Sequence, residues 1–286
     1  MDLYLDKNLI LASNVKFEDA KVALFGAPFD STSTYRSGSR QAPYTIRREF
    51  LELEKDVEGS NFFDIPFHDA GNFEVVHGDI SQTFKRISST LAKSRESNPK
   101  FIPFLIGGEH TLTFPFVEFL AAESDLTVVS LDAHLDFKSE YNGSEWNHST
   151  VMYQISKLDV PVIEAGVRSF DEQEAKNLTN ANASFFGKEF KLNELIKEIS
   201  KKDVYLSVDM DVLDPGQAPG VGNPQPDGFS LNKLKDIIYS VISEANLVGF
   251  DLMEVCPAHD HGSATSVAGA KILLDALIHQ SKKTKK

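Results

Sequence analysis

Six short segments constrain the fold of this 286-residue chain more than anything else: 21–26 (KVALFG), 101–107 (FIPFLIG), 126–131 (LTVVSL), 160–166 (VPVIEAG), 204–208 (VYLSV) and 247–253 (LVGFDLM). Most are apolar at successive positions, without polar residues in alternation. Such strands are buried on both faces, as in a parallel sheet covered by helices. Longer amphipathic stretches, 79–94, 112–123, 190–201, 230–245 and 264–280, read as helices, and Ser230 is placed to cap the fourth. Alternation of the two kinds predicts a three-layer α/β/α domain. No repeat, linker or shift in composition divides the chain. Residues 1–286 therefore read as one domain, ending in a disordered basic tail over about 281–286 (SKKTKK).

In open α/β sheets, ligands bind beyond the carboxyl ends of the strands. After 101–107 come Glu109 and His110. After 126–131 come Asp132, His134 and Asp136. After 204–208 come Asp209 and Asp211, and after 247–253 comes Glu254. Residues i, i+2 and i+4 of extended backbone point the same way, so "DAHLD" (132–136) can present three such groups to one spot if the extension continues past Leu131. A single aspartate at a strand end is commonly a turn or cap residue, the reading given to Asp214. Six ligand-type residues on three strand ends are a different matter. Crowded carboxylates repel unless protonated or neutralised, and two divalent cations balance four of them. Oxygen-rich ligation with some imidazole and no thiolate points to manganese, with zinc, iron or cobalt as alternatives.

Composition narrows the partners. A net charge of −13 disfavours phosphate contacts, hence nucleic acid, and attracts small cations. No stretch of 18 apolar residues is present, so no membrane span is expected. The first ten residues lack the pattern of a secretory leader, and a lone cysteine, Cys256, excludes an internal disulfide. Both suit a cytoplasmic protein. Two loops look functional: the Gly- and Pro-rich 214–230, which is not a dinucleotide fingerprint, and "EWNHST", whose His148 could shuttle protons near the cluster.

The segments "GGEHT" (107–111), "DAHLD" (132–136) and "SVDMDVLDP" (207–215) together resemble the signatures of the ureohydrolase family, which includes arginase and agmatinase. The similarity continues through "APGVGNP" (218–224) and "MEVCPAHD" (253–260), and "GAPFDSTSTYRSGSRQAPYTIR" (26–47) is most like agmatinases. The resemblance implies a mainly parallel eight-stranded sheet, two Mn2+ ions and a homotrimer or homohexamer. It implies one metal on His110, Asp132, Asp136 and Asp209, and the other on His134, Asp132, Asp209 and Asp211. It further implies catalytic roles for Asp136, His148 and Glu254, with Glu254 and His148 binding the guanidinium and a metal-bridging hydroxide attacking it. "GGEHT" has Glu109 where Asp is commoner, and Asn72 stands where many relatives place a second Asp.

The tail of the substrate is less constrained. The loop before His148 lacks the Asn- and Thr/Ser-rich pattern of arginases and carries Glu140 and Glu145, which would meet a cation. That favours agmatine, giving putrescine and urea. Aminopropylagmatine, arginine, guanidinobutyrate and formiminoglutamate stand as alternatives; an anionic tail would need a cation such as Arg36, Arg40 or Arg168. Readings of another class are a metal-binding relative without turnover and a one-zinc deacetylase.

Overall fold

In the computed structural model, which describes residues 4–7, 11, 13–57 and 59–283, the apolar segments form one large sheet. The strands are β1 (Leu5–Asp6), β2 (Val22–Gly26), β3 (Asp56–Val57), β4 (Ser60–Asn61), β5 (Phe67–Phe73), β6 (Ile102–Ile106), β7 (Leu126–Leu131), β8 (Val162–Val167), β9 (Ala183–Gly187), β10 (Asp203–Asp209) and β11 (Asn246–Met253). The helices are α1 (Ala42–Glu52), α2 (Ile80–Ser97), α3 (Thr113–Ala121), α4 (Val151–Ser156), α5 (Glu172–Thr179), α6 (Leu192–Ile199), α7 (Leu231–Glu244) and α8 (Ala264–Lys283). The main sheet runs β1-β5-β2-β6-β11-β10-β7-β8-β9, while β3 and β4 pair only with each other. Eight strands are mutually parallel, and the two-residue β1 adds an antiparallel edge against β5.

Helices cover both faces, which is why the central strands need no polar side. Ile46 and Phe50 of α1, Ile199 of α6, Ile238 of α7 and Leu273 of α8 pack with Leu206 and Phe250 on one face. Ile87 of α2, Phe116 of α3, Ile155 of α4 and Leu178 of α5 pack with Phe25 and Val128 on the other. Ser230 does cap α7, accepting from Lys233 N–H at 3.2 Å.

The sequence pattern misses β5, β9, α1, α4 and α5 for physical reasons. His68, Asp69 and Asn72 break the apolar run of β5. Strand β9 lies at the sheet edge, where nothing selects for continuous apolarity. The expected disordered tail also needs correction: Ser281, Lys282 and Lys283 form the last turn of α8, where lysines favour the negative helix end. Positions 284–286 lie outside the described residues.

The polar residues of β5 pair with Arg47 of α1, which is fully buried. Its guanidinium meets Asp69 in two hydrogen bonds of 2.8 Å and Asn72 Oδ1 at 2.7 Å. Asn72 is therefore an arginine partner. A bidentate ion pair is stable in a core only while both members remain. Arg47→Met would strand the Asp69 carboxylate and is expected to cost about 3–5 kcal/mol. Urea denaturation measures this; a loss under about 1 kcal/mol would show the pair to be dispensable.

Candidate active site

Four neighbouring strands, in the spatial order β6-β11-β10-β7, end at one patch of the sheet edge. They deliver His110, Glu254, Asp209 with Asp211, and Asp132 with His134 and Asp136. The backbones crowd closely here. A Cβ on Gly107 would lie 1.8 Å from Met253 Sδ, and one on Gly108 would lie 1.9 Å from the Phe29 carbonyl oxygen. The paired glycines of "GGEHT" are thus set by close approach.

The expected extended run past Leu131 is not what aligns the acids. Strand β7 stops at Leu131, and Met210–Val212 form a short 3-10 turn after β10. Each leading aspartate instead turns its carboxylate back on the chain two residues ahead. Asp132 Oδ1 accepts from His134 N–H at 2.7 Å, and Asp209 Oδ1 accepts from Asp211 N–H at 2.8 Å. This is the local bonding short carboxylates favour at turns. It commits one oxygen of each to the backbone and fixes where the other lies.

Around His110 Nδ1 stand Asp132 Oδ2 at 3.1 Å, Asp136 Oδ2 at 3.2 Å and Asp209 Oδ2 at 3.4 Å. His134 Nδ1 lies 3.0 Å from Asp211 Oδ2 and 3.5 Å from Asp132 Oδ1. The donor atoms form two groups of ligand spacing, His110–Asp132–Asp209 and Asp132–His134–Asp211, with Asp132 in both. Asp136 adjoins the first through His110. Asp209 falls in the first group, and its hydrogen bond from Asp211 N–H sets it beside a member of the second.

The donor set fits divalent cations. His110 Nδ1 and Asp132 Oδ2 are buried and face each other at 3.1 Å with no other hydrogen-bond partner, a costly arrangement unless a proton or a metal cation is shared between them. The second nitrogen of each imidazole has a partner. His110 Nε2 lies 2.9 Å from Ser207 Oγ, whose hydroxyl donates to Asp251 at 2.6 Å. His134 Nε2 lies 3.1 and 3.2 Å from the side-chain amides of Asn223 and Gln225, in the Gly- and Pro-rich loop. Such partners orient metal-binding imidazoles.

Without a cation, charge crowding divides the carboxylates. Burial and then the Asp132 charge push Asp136 up to about 7. Burial, Asp211 and Asp132 raise Asp209 well above the carboxylate range. Asp132 goes the other way: burial opposes its charge, but His110 and His134 outweigh it and hold the pKa low. Glu254 is pushed up to about 8, by burial and then by Glu109, although Oε1 accepts from His110 N–H at 2.8 Å. Burial depresses His148 to about 4. Asp136 and Glu254 both hold positive φ, 51° and 62°, the kind of local strain that collects at functional sites.

One pocket opens onto His134, Asp136, His148, Asp209, Asp211 and Glu254 together. A second, outer cavity shares His134, Asp136 and His148 with it and is lined further by Lys138, Tyr141, Asp171 and Glu174. Lys138 pairs with Asp171 and, at 3.1 Å, with Glu174. Sequence alone does not single these four out: the signal in "DFKSEY" and "SFDEQE" is only charge, and no apolar periodicity marks α5. Glu140 and Glu145 are exposed and line neither space, so they do not supply the expected cation contact. Of the arginines considered, Arg40 pairs with Asp30, and Arg168 donates to the carbonyls of Asp211, Gln225 and Pro226 at 2.8–2.9 Å. Only Arg36 lines the pocket. Among the described residues, no helix is long and apolar enough to cross a membrane.

Comparison with known proteins gives a consistent result. The model of the arginase family matches residues 20–279. An agmatinase of Bacillus cereus is 33% identical over 282 residues, 94% of this chain and 95% of the relative. An N(1)-aminopropylagmatine ureohydrolase of Thermococcus kodakarensis is 33% identical over 264 residues, 91% of this chain and 90% of the relative. Among solved structures, the agmatine ureohydrolase of Thermoplasma volcanium superposes with a TM-score of 0.85 at 30% identity, covering 100% of this chain and 97% of that one.

Cation-free protein should show an unusual pH response. Asp136 and Glu254 rise from ordinary values of 3.8 and 4.5 to about 7 and about 8 on folding. Raised values give stability that is complete below the unfolded pKa and lost as pH rises through the folded one. The melting temperature in chelator is therefore expected to fall as pH rises from about 4.5 to about 8 and to level off above that. Manganese should flatten or reverse that slope, because ligation needs ionised carboxylates. Thermal melts with and without metal decide it; a chelated protein that gains stability over this window would refute the assignment.

Proposed function

The chain belongs to the arginase family, and on that premise we propose that it hydrolyses agmatine to putrescine and urea with two manganese ions at the site. Its agmatinase and ureohydrolase relatives make it a hydrolase of guanidino C–N bonds. One observation carries the reading. A single pocket is lined both by cation-ligand carboxylates and by the separate, half-buried carboxylate of Glu254. A guanidinium is itself a cation, and beside bound metals it needs its own counter-charge.

His110, Asp132, Asp136 and Asp209 would hold one ion, and His134, Asp132, Asp209 and Asp211 the other. Bound there, the metals neutralise the carboxylates and lower the pKa of a water toward 7. Glu254 would grip two guanidinium N–H groups in a charge-assisted pair. Ligand binding would favour its ionised form over the proton it otherwise holds. The water oxygen bonds to the guanidinium carbon, the bond from that carbon to the tail nitrogen breaks, and both water protons end on the departing amine. Asp136 is the carrier we assign to that transfer. His148 lines the same pocket as Asp136, and we assign it the relay of that proton.

The pocket also bears on the tail. The outer cavity contributes two carboxylates, Asp171 and Glu174, against one ammonium already paired with both. An anionic tail would compete with those partners, whereas a cationic one would share them. This supports agmatine over guanidinobutyrate or formiminoglutamate. The same pair of carboxylates admits a second reading, aminopropylated agmatine, whose longer tail carries another amine. We propose that the whole chain acts as one domain and assembles as a homotrimer or homohexamer, as the family resemblance implies.

Urea release by manganese-loaded protein tests the reading, with agmatine, aminopropylagmatine and arginine side by side. Turnover is expected with the first or second and not with arginine. Glu254→Ala should lower kcat/KM by on the order of 10²-fold or more, the scale for losing one member of a buried charge pair. Urea from none of the three would sink the proposal.

A further inference from the structure

Glu109 is fully buried, directly precedes His110, and takes no part as a ligand or substrate contact in the reading above. It nonetheless makes dense polar contacts. Its Oε2 accepts from Thr32 N–H at 2.7 Å, and its Oε1 accepts from the hydroxyls of Thr32 at 2.6 Å and Thr111 at 2.9 Å. Three donors converge on one carboxylate, and only a carboxylate offers acceptors alone on both arms. A glutamine would turn an NH2 group toward one of those donors.

Thr32 passes this constraint on. Its Oγ1 accepts from His148 N–H at 3.2 Å, and its carbonyl accepts from the Asn147 side chain at 3.2 Å. Two residues on, Thr34 Oγ1 lies 3.2 Å from His148 Nε2. The loop after β2 thus holds His148 by its backbone and by its ring. His148 Nδ1, by contrast, is buried with no hydrogen-bond partner. From His110 the path Glu109–Thr32–His148 crosses three elements that are distant in sequence.

We propose that Glu109 and Thr32 are positioning residues for His148, locking its ring at a fixed place relative to the His110 side of the centre. The inference rests on the reading of His148 as a proton carrier in the pocket. Neither residue touches substrate in this account; both act through the histidine. A proton carrier is sensitive to small displacement, so loosening the loop should cost turnover more than binding.

The experiment compares Thr32→Val, which removes the hydroxyl, with Thr32→Ser, which keeps it, and places each in a His148→Ala background. Thr32→Val is expected to lower kcat roughly tenfold or more, with KM within about threefold and with bound metal unchanged. Thr32→Ser should restore most of the rate. With His148 replaced, Thr32→Val should add less than about a twofold loss, because coupled residues are not additive. Equal losses in both backgrounds would overturn the proposal. A second readout does not need turnover: in protein labelled at histidine nitrogens, the His148 ring signals should shift in Thr32→Val and in Glu109→Gln but not in Thr32→Ser. Unmoved signals would overturn the proposal even if no guanidino compound were hydrolysed, and that latter failure would by itself bring down the agmatine reading.

Discussion

Repulsion among buried carboxylates is the constraint around which this molecule is organised. Asp132, Asp136, Asp209 and Asp211 are all nearly inaccessible to water and converge on two imidazoles. Left to themselves, charges this close would spread apart or take up protons. What prevents the spreading is the stiffness of what carries them. Strands β10 and β7 are adjacent and fully bonded in register from Asp203–Leu126 to Val208–Leu131, and β11 and β6 continue the same parallel ladder. Asp209 is the last paired residue of β10, against Met253, and Asp132 is the first residue after β7; Asp211 and Asp136 follow where backbone turns replace strand pairing. The sheet thus supplies rigidity up to the last residue at which it can, and Asx-type hydrogen bonds complete the placement.

The fold was legible to the extent that burial leaves a mark on consecutive residues. The helix-covered central strands carry runs such as "LTVVSL" and "VYLSV", and each was found within two residues of its true ends. Strand β5 was not, because its His68, Asp69 and Asn72 are specified by partners far away: Asp69 and Asn72 by Arg47 on α1, and His68 by the carbonyl of Val15. No periodicity encodes a contact of that kind. The clustering of His110, Asp132, His134, Asp136, Asp209, Asp211 and Glu254 was legible for a topological reason, since parallel strands must all present their carboxyl ends on one side. The local route to it was not. Extension and an i→i+2 turn both bring alternate residues to one place, and the letters alone do not distinguish them. Lys138, Asp171 and Glu174 were missed because side-chain charge on a loop and a short helix has no spacing rule that ties it to a pocket.

Site and core are also continuous in a way that the strand-end picture understates. Behind His110, Ser207 bonds to Asp251, and Asp251 Oδ2 accepts from the hydroxyls of Tyr205 at 2.7 Å and Thr113 at 2.8 Å. Ser207 and Asp251 are direct partners across β10 and β11, and Ser207 faces Ser130 across β10 and β7. This polar row lies within an otherwise apolar layer. Burial raises the pKa of Asp251, while its three hydroxyl donors and the nearby His110 favour its charge. An apolar substitute at Ser207 would fill the same space and satisfy packing. It would also leave the His110 ring without the acceptor that fixes its orientation, and with it the direction of Nδ1 toward the carboxylates. The core here is therefore shaped by what its edge must hold: strand register sets the polar row, the row sets the imidazole, and the imidazole sets where a cation can sit.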